Sequence, residues 1–307
     1  MLTYLLRRAT MAVVVMMIVS IICFVLSNVA YDPAVGIAGA QATDEDVALI
    51  RQTYGFDRPL PSRFIDYLGN LAQGDLGVSY LSKRPVLDMI LERLPVTAML
   101  AFFSMTLALA IALPIGCAAA LWPNTIIDRL SQFLAVAGQA IPNFWAGLLL
   151  IVLFGVQLRW LPISGSDTYA HFVLPAITLG TYAMPPLMRL IRAGMIDVLG
   201  SDYIRTARAM GIQPLKLTFK YALKNAVLPV ISLSAVQLGF MLGGSIVVES
   251  IFALNGIGYL AWQSMSRSDM PVIQAIVLMI SMIYIVLTLL ADLLNAYMDP
   301  RLRSARK

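Results

Sequence analysis

The chain has 307 residues, of which 59% are hydrophobic and 13% charged, with a mean hydropathy of +0.80 and a formal net charge of +5. An average soluble domain carries about 25% charged residues, so an ordinary soluble protein is excluded. The positive surplus needs no nucleic acid, because it gathers at the two termini and in one polar interruption, where anionic headgroups and the positive-inside rule account for it.

A hydrocarbon core of ~30 Å needs about 20 consecutive apolar residues per helix. Six such stretches are read, at residues 9–28, 97–121, 131–156, 172–190, 226–248 and 271–297. Inside lipid every backbone group must be bonded within its own segment, so the expectation is an all-α polytopic membrane protein with six transmembrane helices. Arg7 and Arg8 precede the first span. That apolar run exceeds the ~7–15 residues of a signal peptide, and the cleavage-like Ala40-Gln41-Ala42 lies too far beyond it. The first helix (residues 1–28 with its N-terminus) is therefore read as uncleaved. Arg301, Arg303, Arg306 and Lys307 form a basic tail at 299–307. Both termini are then expected in the cytosol, as an even number of spans requires.

Residues 29–96 hold six Lys/Arg against nine Asp/Glu, as an external segment should. They are too long for a plain connector. Thr43 with Asp46 three residues on suits a helix start and Gly55 its stop. Phe64, Ile65 and Leu68 recur at helical spacing up to Gly69, and a further amphipathic helix is expected over 87–94, leading to Pro95. The segment reads as a small helical cap.

A five-helix core is expected over 97–298. Cys23 and Cys117 fall inside spans, where a thiol behaves as a small hydrophobe, and they form neither a disulfide framework nor a CxxC. His171 is the single histidine and cannot build a metal site without clustered partners. Span five carries Gly239 and Gly243 as a GxxxG, followed by Gly244 and Ser245. Glycines four apart favour close helix packing. Packing or pathway-lining roles remain open for these residues, for Gln237 and for Asn143. Gln139 and Asp292 are further polar residues within or near spans, of the kind that face a bundle interior.

The polar interruption runs from Arg189 to Asn225. It carries Arg189, Arg192, Arg205, Arg208, Lys216, Lys220 and Lys224 against Asp197 and Asp202, which places it in the cytosol. Ser201 or Asp202 suits an N-cap, Gly211 suits a left-handed stop, and Pro214 suits the start of a second helix. Small residues Thr206, Ala207 and Ala209 let another surface approach closely. A docking platform and a membrane-surface helix with snorkelling cations both fit this pattern.

The segment DYIRTARAMG followed by KYALKNAVLP resembles the EAA loop of permease subunits in bacterial ABC importers. The order and spacing of YGFDRPL, GDLGVSY, RPVLDMILERLPVT, IPNFWAGLLL, LGGSIVVESIF, NGIGYL, DMPVIQA and DLLNAYMDPRLR resemble the first permease of the dipeptide/oligopeptide/nickel group over nearly the whole chain. Arg205 stands where the general pattern is acidic and Thr206 where it has alanine. Tyr31 replaces a usual Gly, and Asn255 a usual Pro.

The resemblance implies a type I ABC importer permease fold. It also implies a coupling helix built from Asp202, Tyr203, Arg205, Thr206, Ala207, Arg208, Ala209 and Gly211. The implied partners are two cytosolic ATPase subunits, a second permease in a heterodimer, an extracytoplasmic substrate-binding protein and the bacterial inner membrane. The chain has no G-x-x-x-x-G-K-[ST] and no nucleophile–base set, so it is expected to bind no cofactor and to be no enzyme, with ATP and Mg used by the partners. Di- and oligopeptides are the expected substrates, with nickel chelates or glutathione as alternatives. An ion-coupled carrier is the competing class; it would place ionisable groups at mid-span and show inverted repeats.

Overall fold

The computed structural model describes residues 2–30, 32–39 and 42–298. Tyr31, Ala40, Gln41 and the basic tail from 299 lie outside these, as do the side chains of Arg7 and Arg8. Fourteen helices account for most of the described residues, and no strand is named among them beyond an isolated bridge between Val78 and Pro85. The chain divides into two compact units, Met1–Thr97 with Asn255–Ile285, and Ala98–Leu254 with Val286–Lys307.

The first unit contains α1 (Leu2–Val25), α2 (Pro33–Ala38), α3 (Asp44–Thr53), α4 (Leu60–Ala72) and the start of α5 (Val86–Leu121). Thr43 caps α3 as its spacing implies. Asp46 N–H donates to Thr43 Oγ1 at 3.3 Å, and Thr43 N–H donates back to Asp46 Oδ2 at 3.0 Å. Gly55, at φ 68°, stops the helix. Helix α4 runs past Gly69 to Ala72 and packs on α1 through Phe24 and Phe64, whose ring centroids lie 5.1 Å apart.

The expected separate helix at 87–94 does not exist. Val86–Leu121 is one continuous helix of 36 residues that passes through Pro95. A proline forfeits one backbone hydrogen bond, and the helix ladder continues on both sides of it.

The cap is fastened to its own unit at a distant point in sequence. Asp269 Oδ2 accepts from Ser79 Oγ at 2.5 Å and Asp269 Oδ1 from Tyr80 N–H at 3.0 Å, with Ser79 and Asp269 both buried. Gln274 Nε2 donates to the Cys23 carbonyl at 3.1 Å, and Ile257 N–H to Thr97 Oγ1 at 2.8 Å. The GDLGVSY and DMPVIQA motifs are therefore two halves of one structural contact.

The second unit holds α6 (Ile126–Ala140), α7 (Asn143–Leu150), α8 (Val173–Leu199), α9 (Asp202–Ala209), α10 (Pro214–Ala226), α11 (Leu228–Gly244) and α12 (Ile246–Ile251). After α13 (Ile257–Ser266), α14 (Met270–Met298) begins in the first unit and ends in the second. Helix α8 lies at its centre. Leu174, Leu179, Leu187, Ile191 and Met195 are all buried, and α8 packs against α6, α7, α10 and α11.

Two glycines set how closely its neighbours come. A Cβ on Gly116 would lie 2.8 Å from the Met188 carbonyl oxygen, and one on Gly180 would lie 2.9 Å from that of Ser104. Helices α5 and α8 thus meet backbone to backbone, the close approach that small residues permit in membrane proteins.

The spans differ from their expected outlines. By length and composition α1, α5 and α14 are long and apolar enough to cross a membrane, and up to five spans result if each of two bent helix pairs counts as one. The expected third span, 131–156, is such a pair: α6 and the helix Asn143–Gln157 meet at 96°. Pro142 explains the break, because it pushes Ile141 into extended backbone at φ −84°, ψ 121° and cannot itself donate to the helix ladder. The fifth is the pair α10 and α11, bent by 52°. Helix α8 is long enough, at 27 residues, but falls outside the apolar set. Pro175, Pro185, Pro186, Thr178 and Thr181 dilute it, and a helix so covered by protein has no need of a lipid-like surface.

Candidate coupling site and family

The polar interruption is less of a loop than its sequence suggests. Arg189 and Arg192 still belong to α8, which continues to Leu199. Gly200 and Ser201 then turn the chain into α9. Ser201 occupies the N-cap position with extended backbone, but its hydroxyl turns back and donates to the Val198 carbonyl at 2.5 Å instead of capping the helix.

Helix α9 is amphipathic. Ile204 and Ala207 are buried on its inner side, whereas Tyr203, Arg205, Thr206, Arg208 and Ala209 are exposed. Its end has the expected form. Gly211 sits at φ 75°, Gly211 N–H donates to the Arg208 carbonyl at 3.0 Å, and Ile212 N–H donates to the Ala207 carbonyl at 3.3 Å. These paired bonds make a Schellman stop.

Pro214 opens α10, whose middle turn at 217–222 is a π-helical widening. Leu217 is buried beneath it, but Leu215 and Phe219 are not. With Met210 and Tyr203 they form an exposed apolar set, at 73% and 58% exposure for Leu215 and Phe219 and 69% for Met210. Grouped apolar side chains around a short basic helix mark a surface that another protein covers.

Helix α9 is held from behind by hydrogen bonds. Asn225 Nδ2 donates to Tyr203 Oη at 2.7 Å, and Tyr203 Oη donates to the Tyr221 carbonyl at 3.4 Å. On its outer side Arg205 Nη1 lies 3.3 Å from Asp202 Oδ1, with both side chains in solvent. The eight residues expected in the coupling segment therefore share one short helix and its stop, and Asp202, Tyr203, Arg205, Thr206, Arg208, Ala209 and Gly211 are exposed while Ala207 anchors.

Two features of this region escape sequence reasoning. Asp128, at the start of α6, accepts two bonds from Arg192, Nε to Oδ1 at 2.6 Å and Nη2 to Oδ2 at 2.7 Å. Gln132 Nε2 and Asn124 N–H donate to the same carboxylate, each at 2.9 Å. The Arg192 guanidinium holds the Asp128 carboxyl well below the usual carboxylate range, and Asp128 in turn raises Arg192. The second is a cavity of about 780 Å³ behind α9, lined in part by Lys220, Tyr221, Lys224 and Asn225. Lys220 and Lys224 are a visible i,i+4 pair; nothing local announces that Tyr203 shares a cavity lining with them.

The candidate pathway residues are dispersed. Gly239 is buried and Gln237 half-buried within α11, while Asn143 opens α7. Ser245 is buried between α11 and α12 and donates to Glu249 Oε1 at 2.8 Å. Glu249 is itself fully buried, a carboxylate that the hydropathy reading passes over because it follows an apolar run. Gln139 Oε1 accepts from Arg189 Nη2 at 3.1 Å.

The family model described as "binding-protein-dependent transport system inner membrane component" matches residues 112–304, and its companion N-terminal model matches residues 1–101. The chain belongs to this family. It is 41% identical over 304 residues, 99% of both chains, to the glutathione transport system permease protein GsiC of Escherichia coli strain K12, and equally so to that of Pectobacterium atrosepticum. Among solved structures, an inward-facing methionine ABC transporter, MetNI, aligns with TM-score 0.58 at 17% identity, covering 69% of this chain and 96% of that one. An amino acid ABC transporter solved with histidines aligns at 0.50.

The fold is accordingly that of a type I ABC permease, and the chain is a multi-pass inner-membrane permease subunit of an ABC importer in the dipeptide/oligopeptide/nickel group. It is not an enzyme. ATP hydrolysis lies in partner subunits.

Proposed function

We propose that this permease forms half of a translocation pathway for glutathione or closely similar short peptides, and that α9 is the helix through which ATPase subunits drive it. The observation that carries the substrate is the 41% identity to glutathione permeases over essentially full length. It favours glutathione over the di- and oligopeptides expected from motifs alone. A tripeptide is still a peptide, so the subgroup resemblance is kept and narrowed.

The drive follows from charge and shape. A Schellman-stopped helix with three exposed charged side chains, flanked by Met210, Leu215 and Phe219, offers a rigid convex surface of mixed chemistry. A cleft of another protein can grip such a helix and move it as a body. The helix is joined to α8 by Gly200 and Ser201, so displacement of α9 reaches the centre of its unit directly. A second permease, an extracytoplasmic binding protein and cytosolic termini complete the reading. Residues 42–96 then belong outside the membrane, where the binding protein delivers substrate.

The test is uptake of radiolabelled glutathione by cells lacking the chromosomal copy and complemented with this chain and its partners. Restored uptake supports the reading. Restored uptake of a labelled dipeptide with none of glutathione returns the substrate to the di- and oligopeptide class. Replacing Arg205 and Arg208 by Glu should abolish co-purification of the ATPases; unchanged assembly would sink the docking role.

A further inference from the structure

The exposed apolar set does not account for the cavity behind α9, because Met210, Leu215 and Phe219 are not on its lining. Its lining has two chemistries. Lys220, Lys224, Tyr221 and Asn225 supply donors from one stretch of α10, and Val198, Leu228 and Met298 supply an apolar wall. Those three come from the end of α8, the start of α11 and the end of α14. Helices α11 and α14 are among the apolar elements long enough, alone or paired, to cross a bilayer, so this wall lies where membrane-crossing helices begin and end.

The charge of the cavity is unbalanced. Asp197 is the single carboxylate on the lining. Among the described residues neither Lys220 nor Lys224 has an ion-pair partner, whereas Arg192 and Arg205 nearby each have one. A roomy site with unpaired lysines at one side and aliphatic side chains at the other matches a phosphodiester joined to a hydrocarbon chain. Free phosphate would leave the apolar wall without an occupant.

We propose that this cavity is a binding site for an anionic phospholipid, with the phosphate held by Lys220 and Lys224 and the lipid's hydrocarbon chain against Val198, Leu228 and Met298. The bound lipid backs α9 through Tyr203, which both lines the cavity and accepts a hydrogen bond from Asn225 on the same lining. Lipid composition would then set how firmly the coupling helix is supported. The inference rests on the chain lying in a bilayer, which its family gives, and not on the transported substrate.

The experiment uses the full transporter purified with its partners and exchanged into mixed micelles of phosphatidylglycerol and phosphatidylcholine, with retained lipid counted by native mass spectrometry. The intact complex should retain phosphatidylglycerol selectively. A surface lysine contributes about a fivefold preference for anionic lipid, so Lys220→Gln with Lys224→Gln should lower retention by about 30-fold. Lys220→Arg with Lys224→Arg should restore most of it, which separates a lost site from a misfolded one, and Lys216→Gln, off the cavity, should change little.

Displacement of the lipid by inorganic phosphate would overturn the proposal in favour of a free anion. Loss of ATPase co-purification in the glutamine variant with phosphatidylglycerol retention unchanged would overturn it in favour of a protein contact. Equal retention of phosphatidylcholine and phosphatidylglycerol by the intact complex would also overturn it. Glutathione uptake is scored separately, so failure of the substrate reading leaves this result readable.

Discussion

Two arginine–aspartate pairs in the second unit do opposite things. Asp128 and Arg192 are 64 residues apart, meet through two short bonds, and leave only 2% of the aspartate side chain exposed. Asp202 and Arg205 are three residues apart, meet through one bond of 3.3 Å, and are 96% and 73% exposed. Removing water from both partners makes the first pair a fixed joint between α6 and α8, because either charge left alone there would be costly. The second pair stays fully hydrated and holds almost nothing together. Its charges are available to a partner. A buried joint and an exposed helix face thus use the same two residue types, separated by burial.

The largest break in that contrast is Arg192→Ala. It strands a buried carboxylate, and the assembled permease should lose about 3 kcal/mol of stability, read as a fall in melting temperature. Arg192→Lys should recover only part of this, since an ammonium cannot make the two-pronged contact.

Acid should sharpen the same point. The folded state holds Asp128 well below its ordinary range, so its contribution is complete above the unfolded value of about 3.9 and is lost as pH falls through the folded one. A melting temperature that is flat from neutral pH down to about 5 and falls further below is expected. Asp128→Asn should flatten the acid limb.

Gly211→Ala is next. A Cβ there meets no neighbouring atom within 4 Å, so the cost is purely the backbone angle, about 1 kcal/mol. Transport should fall with expression unchanged, because the stop that positions α9 is strained. Smallest on stability is Arg205→Ala, which should leave the melting temperature unmoved while lowering ATPase co-purification. A matching fall in melting temperature would erase the distinction between the two pairs.

What the sequence made legible follows the same division. Local signals were readable: the Thr43–Asp46 box, the glycine stops at Gly55 and Gly211, and the short helix before Gly211. Contacts across long sequence separations were not. Nothing in GDLGVSY or DMPVIQA reveals that Ser79 and Asp269, 190 residues apart, are bonded. Hydropathy also misjudged helices by treating apolarity as position. Helix α8 is buried by protein and so carries prolines and threonines that lower its score, while Glu249 hides behind an apolar run. The third span was read as unbroken through Pro142, where the two helices meet at 96°.

That corner fixes what can surround it. Helix α6 has 15 residues, about 22 Å at 1.5 Å each, too short to cross a hydrocarbon core of ~30 Å alone. The turn at 140–143 interrupts the helix ladder, and lipid tails offer no donor or acceptor to the groups it frees. Any depth that places this corner inside the bilayer must therefore surround it with polypeptide or water. The elbow is a boundary marker: on one side of it the chain tolerates oil, and at the elbow itself it does not.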